Sequence, residues 1–260
     1  MDPREVIDQS SMTRLQITAV VLCIVLNALD GFDVLSIAFA APGISSEWGI
    51  DRAALGVVLS MELIGMGIGS VIMGRFADNY GRRVTIIGCL CVMTIGMLLA
   101  ALANGVTDMS VYRFVTGLGI GGMLASTNAL VAEYSNLKQR AMMIMFMVGG
   151  YPLGIVIGGA FASYLLELYD WRSIFYFGAV VTGVMVIAVW FLLPESIHYL
   201  ISKRSPGAVD EVNKLLRKMG RDIIDSLPAS TTQSKETTNS LFSTAYGRST
   251  LVLTLSLIHI

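Results

Sequence analysis

The chain has 260 residues, 54% of them hydrophobic and 14% charged, with a formal net charge of −1 and a mean hydropathy of +0.69. Ordinary soluble domains carry about 25% charged residues, so that class is excluded, and the near-neutral balance offers no basic surface for nucleic acid. What remains is an integral membrane protein.

Residues 1–16 are polar and read as an N-terminal segment outside the bilayer. The apolar run that follows exceeds the roughly 7–15 residues of a signal-peptide core, so it reads as a retained span. A hydrocarbon core about 30 Å thick needs about 20 apolar residues per helix. Six runs meet that need, at about Ile17–Ala41, Ala54–Met73, Val84–Ala103, Val111–Ala132, Ala141–Leu166 and Ser173–Leu193. They are apolar throughout, so they do not alternate as barrel strands do. Helices are the structures that pair every backbone group within one segment. The expected architecture is an all-α bundle over 17–193.

A polar segment, 194–248, follows. It holds a basic, amphipathic helix near Asp210–Met219 and a Ser/Thr-rich stretch, "PASTTQSKETTNS", that reads as flexible. Residues 249–260 turn apolar again and read as the start of a seventh helix. Lys and Arg set the orientation. Fifteen fall on the side of the N-terminus and the long polar segment, two (Arg52 and Arg172) fall on the other side, and Arg113 lies within a span. Cytoplasmic loops carry the excess, so the N-terminus is expected in the cytoplasm and "GRFADNYGRR", Gly74–Arg83, reads as a cytoplasmic turn.

Glycines repeat at four-residue spacing: Gly65 and Gly69, Gly117 and Gly121, then Gly150, Gly154 and Gly158. Small residues so spaced let helix backbones approach closely. The run Gly117–Gly122 also matches the dinucleotide fingerprint, but that pattern carries meaning only between a strand and a helix. Cys23, Cys89 and Cys91 read as buried free thiols, and no metal-ligand or nucleophile–base spacing stands out. No metal or organic cofactor is expected.

Charges inside the spans are the informative residues. In "NALDGFDVL", Asp30 and Asp33 lie three apart on one helix face. An Asp at a helix centre costs about 2.5–3.5 kcal/mol to insert. Either both face the bundle interior, where a carboxylate withdrawn from water can exchange protons, or the span ends early and leaves them among headgroups. Arg113 can hold a carboxylate through two parallel hydrogen bonds, pair with an Asp, or snorkel outward. Glu133, at the other end of that span, is either interfacial or a coupling residue. Spans one and four carry ionisable groups while two and five carry glycine seams, the pattern of a 3+3 inverted repeat.

Several motifs now carry a resemblance. "GRFADNYGRRVTI", "RFVTGLGIGG", "GGYPLGIVIGG" with Pro152, and "PES" at 194–196 occur in the order found in the major facilitator superfamily. "LDGFD" resembles the first-helix signature of its aromatic acid:proton symporters. The resemblance implies the N-terminal half of a twelve-helix fold in a bacterial inner membrane. It implies a proton-coupled carrier of aromatic carboxylates such as hydroxybenzoates, working with a second six-helix half. It assigns proton coupling and substrate handling to Asp30, Asp33, Arg113 and Glu133. It assigns a conformational latch to Gly74, Asp78, Gly81, Arg82 and Arg83, with Phe76, Asn79 and Val84 departing from the usual loop pattern. A sugar or other organic-ion porter shares every motif except "LDGFD", and a non-transporting six-helix scaffold keeps the glycine seams without needing Asp30 and Asp33.

Overall fold

The computed structural model describes residues 2–204 and 207–228. Nine helices occur among them: α1 (Pro3–Gln9), α2 (Arg14–Trp48), α3 (Arg52–Tyr80), α4 (Arg82–Ala101), α5 (Val106–Tyr134), α6 (Arg140–Leu168), α7 (Arg172–Leu192), α8 (Ile197–Lys203) and α9 (Ala208–Lys218). Helices α2 to α7 are long and apolar enough to cross a membrane. The chain divides after Leu227, and of the second unit only Pro228 is described. The rest of the Ser/Thr-rich stretch and the expected seventh-helix start at 249–260 lie outside the described residues.

Helix ends follow local chemistry. Thr13 and Gln16 form a reciprocal capping box at α2, and the Asp51 carboxylate accepts the Ala54 N–H at 2.9 Å to start α3. Such caps satisfy N–H groups that have no partner within the helix. Gly49, at φ 63°, closes α2 in the left-handed conformation that glycine adopts without strain. The first span therefore runs past Ala41, through Pro42. Proline removes one helical hydrogen bond, but Ile37, Ala40 and Ile44 are buried on both sides of it and hold the helix together.

The expected turn at "GRFADNYGRR" is corrected most. Gly74–Tyr80 completes α3 and Arg82 begins α4, so Gly81 alone lies outside a helix, at φ 104°. Its charges ride on helix surface, which polar residues occupy as readily as a loop. Within 1–16, α1 is helical and docks on the α5–α6 junction, where Leu137 N–H donates to the Asp8 carbonyl at 3.0 Å. Within 194–248, α9 covers the expected amphipathic helix and buries Ala208, Val212 and Leu216. Cys91 is exposed on α4, unlike Cys23 and Cys89.

Helix pairing shows the repeat. Helix α2 packs on α6 as α3 packs on α5, and α4 packs on α5 as α7 packs on α2. Exchanging the first three spans for the last three maps each pair onto the other. The glycines line both seams. A Cβ at Gly65, Gly69, Gly117 or Gly121 would strike the backbone carbonyl of Phe114, Leu118, Glu62 or Met66 across the α3–α5 seam. Across the α2–α6 seam, Gly150 and Gly154 face the carbonyls of Ile24 and Ala28, Gly31 faces that of Tyr151, and Gly158 faces the Phe32 ring. Pro152, grouped by sequence with these residues, lies instead on the exposed side of α6. Two apolar clusters fill the bundle, and α2 and α4 pass from one to the other near Asp30–Asp33 and Met93–Met97.

Candidate functional site

Where the apolar clusters meet lies a group of charges with almost no access to solvent. Arg113 reaches in from α5 and is 0% exposed. Its Nη1 donates to Asp33 Oδ1 on α2 at 3.0 Å and its Nη2 to the Asp33 backbone carbonyl at 2.6 Å. Its Nε donates to Glu62 Oε2 on α3 at 3.1 Å, and its Nη2 also bonds Glu62 Oε1. The Phe175 ring lies 5.9 Å from the guanidinium carbon, and Met97 Sδ is 3.5 Å from Nη1. Three helices thus converge on one cation. Snorkelling is excluded, because every donor of this side chain that forms a bond points inward.

Asp30 sits one turn from Asp33, also fully buried, and neither of its carboxylate oxygens has a hydrogen-bond partner. The headgroup alternative for the two aspartates is ruled out by that burial. Tyr151 on α6 and Cys89 on α4 lie within electrostatic reach of Asp30. The glycine seam explains how α6 comes so near, since Gly31, between the aspartates, leaves room for the Tyr151 carbonyl.

Glu133 is not part of this group. It lies 20 residues beyond Arg113 on α5, about 30 Å at 1.5 Å per residue, and pairs with Arg82 at 3.2 Å. Arg82 also pairs with Asp78 at 3.0 Å and donates to the Ala77 carbonyl. Asp78 is 70% exposed. Glu195, between α7 and α8, completes the arrangement: its Oε1 accepts the N–H groups of Arg82 (2.9 Å), Arg83 (3.2 Å) and Ser196 (2.9 Å). A carboxylate at the start of α4 satisfies unpaired donors and complements the helix dipole. Burial pushes the Glu195 carboxyl above its usual range, while those backbone donors and Arg82 pull against the shift. Gly81 leaves the space that the carboxylate fills. Helix α8 continues the clasp, with Tyr199 Oη and Lys203 Nζ donating to the Asn79 carbonyl at 3.2 and 2.9 Å. Arg83 donates to the Trp190 carbonyl and lies 5.8 Å from that ring. Gly74 has open space where a side chain would stand.

Two members of these clusters went unremarked in the sequence. Glu62 is a carboxylate eight residues into the second apolar run, the same signal that marks Asp30. Glu195 lies within "PES", but its partners come 112 and 113 residues earlier in the chain.

Residues 22–258 match the family model described as Major Facilitator Superfamily. The 4-hydroxybenzoate transporter PcaK of Pseudomonas putida is 30% identical over 98% of this chain and 58% of its own length. The gallate transporter of the same organism gives the same three figures. The chain therefore spans a little over half the length of these curated relatives. Among solved structures, the Escherichia coli xylose transporter XylE in a partially occluded inward-open conformation superposes with a TM-score of 0.73 at 18% identity. That likeness covers 92% of this chain and 59% of XylE, and it concerns the fold. The extent of the family match, the six spans and their inverted pairing agree: the chain belongs to the major facilitator superfamily of membrane transporters, as its six-helix N-terminal half.

Proposed function

We propose that this chain, with a second six-helix half, forms a proton-coupled symporter that carries aromatic carboxylates by alternating access. The observation that carries the reading is the buried group Asp30–Asp33–Glu62–Arg113. One guanidinium cannot offset three ionised carboxylates away from water, where an uncompensated charge costs several kcal/mol. The group therefore suits the uptake and release of protons, and the unpartnered carboxylate of Asp30 is the natural entry point. The substrate class rests on "LDGFD" and on relatives named for 4-hydroxybenzoate and gallate.

Coupling needs one state to bind the proton or substrate better than the other. The cluster around Gly81, with Asp78 at its exposed edge, suits a latch that forms in one state and parts in the other. We assign it to the cytoplasmic face of a bacterial inner membrane, with the N-terminus, on the Lys/Arg asymmetry.

Asp30→Asn, placed in the two-half transporter, is expected to abolish accumulation of a labelled hydroxybenzoate against its gradient. Downhill exchange should be affected less. Uphill accumulation by the variant at the wild-type level would remove Asp30 from coupling. Competition by xylose but not by aromatic acids would replace the substrate class.

A further inference from the structure

A groove of about 520 Å³ opens between α2, α5 and α6, lined by Asn27, Leu124, Asn128, Met147, Tyr151 and Pro152 among others. Its walls are almost wholly apolar, and Asn27 is their buried polar member, only 3% exposed. The Asn27 amide is fixed: its Nδ2 donates to the Met147 carbonyl at 2.5 Å, and turning the amide over would set two acceptors against each other. The carbonyl Oδ1 is thereby left buried without a donor. A buried acceptor in that condition costs about 1–3 kcal/mol until something donates to it.

Asn27 lies one helical turn before Asp30 on the same face of α2. Tyr151, on the opposite wall, lies within electrostatic reach of Asp30 and Glu62. The Asn27 wall of the groove is thus one helical turn from the proposed proton site. An apolar groove with a buried, unpaired acceptor in its wall fits an aromatic ring bearing an O–H donor, and a ring without one leaves that acceptor unpaired.

We infer that Asn27 reads a ring hydroxyl of the substrate, its Oδ1 accepting the phenolic O–H while the groove formed by α5 and α6 holds the ring. The inference rests on the aromatic-acid reading above and assigns that site a preference for hydroxylated rings. Discrimination of this kind is strong because the analogue lacking the hydroxyl strands a polar group. A methoxy group keeps the ring oxygen but donates nothing, so it leaves the same acceptor unpaired.

The test uses the two-half transporter in membrane vesicles, with benzoate, the three hydroxybenzoate isomers and the matching methoxybenzoates as competitors for uptake. At least one hydroxybenzoate should bind about tenfold more tightly than both benzoate and its methoxy counterpart, the value of one stranded buried acceptor. Asn27→Leu should reduce that ratio to near one. Aromatic uptake with no hydroxyl preference in the wild type overturns the inference alone, as does a ratio unchanged in Asn27→Leu; either result means that another group, such as one from the second half, pairs Oδ1. No uptake of any aromatic acid by the wild type overturns the substrate reading, and this inference with it. If Asn27→Leu fails to reach the membrane, the wild-type comparison of hydroxy and methoxy rings decides.

Discussion

Two places in this molecule are built from the same parts, an arginine between carboxylates of neighbouring helices, and they sit in opposite physical regimes. Arg113 with Asp33 and Glu62 is sealed in the bundle at 0–1% exposure. Arg82 with Asp78 and Glu133 lies at a helix junction, with Asp78 70% exposed. In the dry cluster both the attraction and the desolvation cost are large, so the group persists as a unit and losing one member strands the others. At the junction, water reaches Asp78, so its pair with Arg82 forms and parts at little cost, while Arg82 and Glu133 are covered but not sealed. A store for protons suits the first regime, and a contact that breaks in every cycle suits the second.

The difference is sharpest on removal of the arginine. Arg113→Met leaves Asp33 and Glu62 buried without their cation, which is expected to cost about 3–5 kcal/mol and to abolish uptake. Thermal unfolding in detergent and vesicle uptake check the two effects. Adding Asp33→Asn and Glu62→Gln to Arg113→Met neutralises the stranded charges and should recover most of the thermal stability while transport stays lost. A triple variant as unstable as the single one would mean that Arg113 acts through packing against Phe175 and Met97.

Three of the four residues in the buried group were legible in the sequence. Asp30, Asp33 and Arg113 stand out because charge is expensive in an apolar run, and the i,i+3 spacing puts the aspartates on one face. Glu62 carries the same signal in "MELIGMGIG", but nothing local says that it meets Arg113, 51 residues later, instead of lipid. That meeting depends on the α3–α5 seam, whose glycines were visible as a repeat while their partners were not. The bundle and its six spans followed from hydropathy. The helix ends did not, because α3 continues through the charged residues before Gly81 on its exposed surface. Asn27 escaped notice because a lone neutral amide in an apolar run carries no charge to betray it.

At the junction the expected effects are smaller and depend on salt. Arg82→Ala should cost about 1–3 kcal/mol, because it strands the mostly buried Glu133 while Asp78 stays in water. That loss should shrink further as ionic strength rises and screens the exposed charges. Its effect on transport should be a changed balance between states, read as altered labelling of single cysteines on the two faces. A salt-independent loss as large as that of Arg113→Met would erase the contrast between the two regions.

Glu195 gives the finest test, because it is acidic like the others but bonds mainly to backbone. Glu195→Gln retains an acceptor for the N–H groups of Arg82, Arg83 and Ser196, so its effect near neutral pH should fall within about 0.5 kcal/mol. Glu195→Ala strands those donors and should cost about 1–2 kcal/mol. The pH dependence has a defined sign. Burial raises the folded-state pKa of Glu195 above its usual 4.5, so folding favours the protonated carboxyl. That contribution is fully present below pH 4.5 and is lost as pH rises through the folded value. The unfolding temperature of the wild type should therefore fall relative to Glu195→Gln as pH is raised from 4 through that window. A wild type that gains stability over the same window would mean that the three backbone donors and Arg82 outweigh burial.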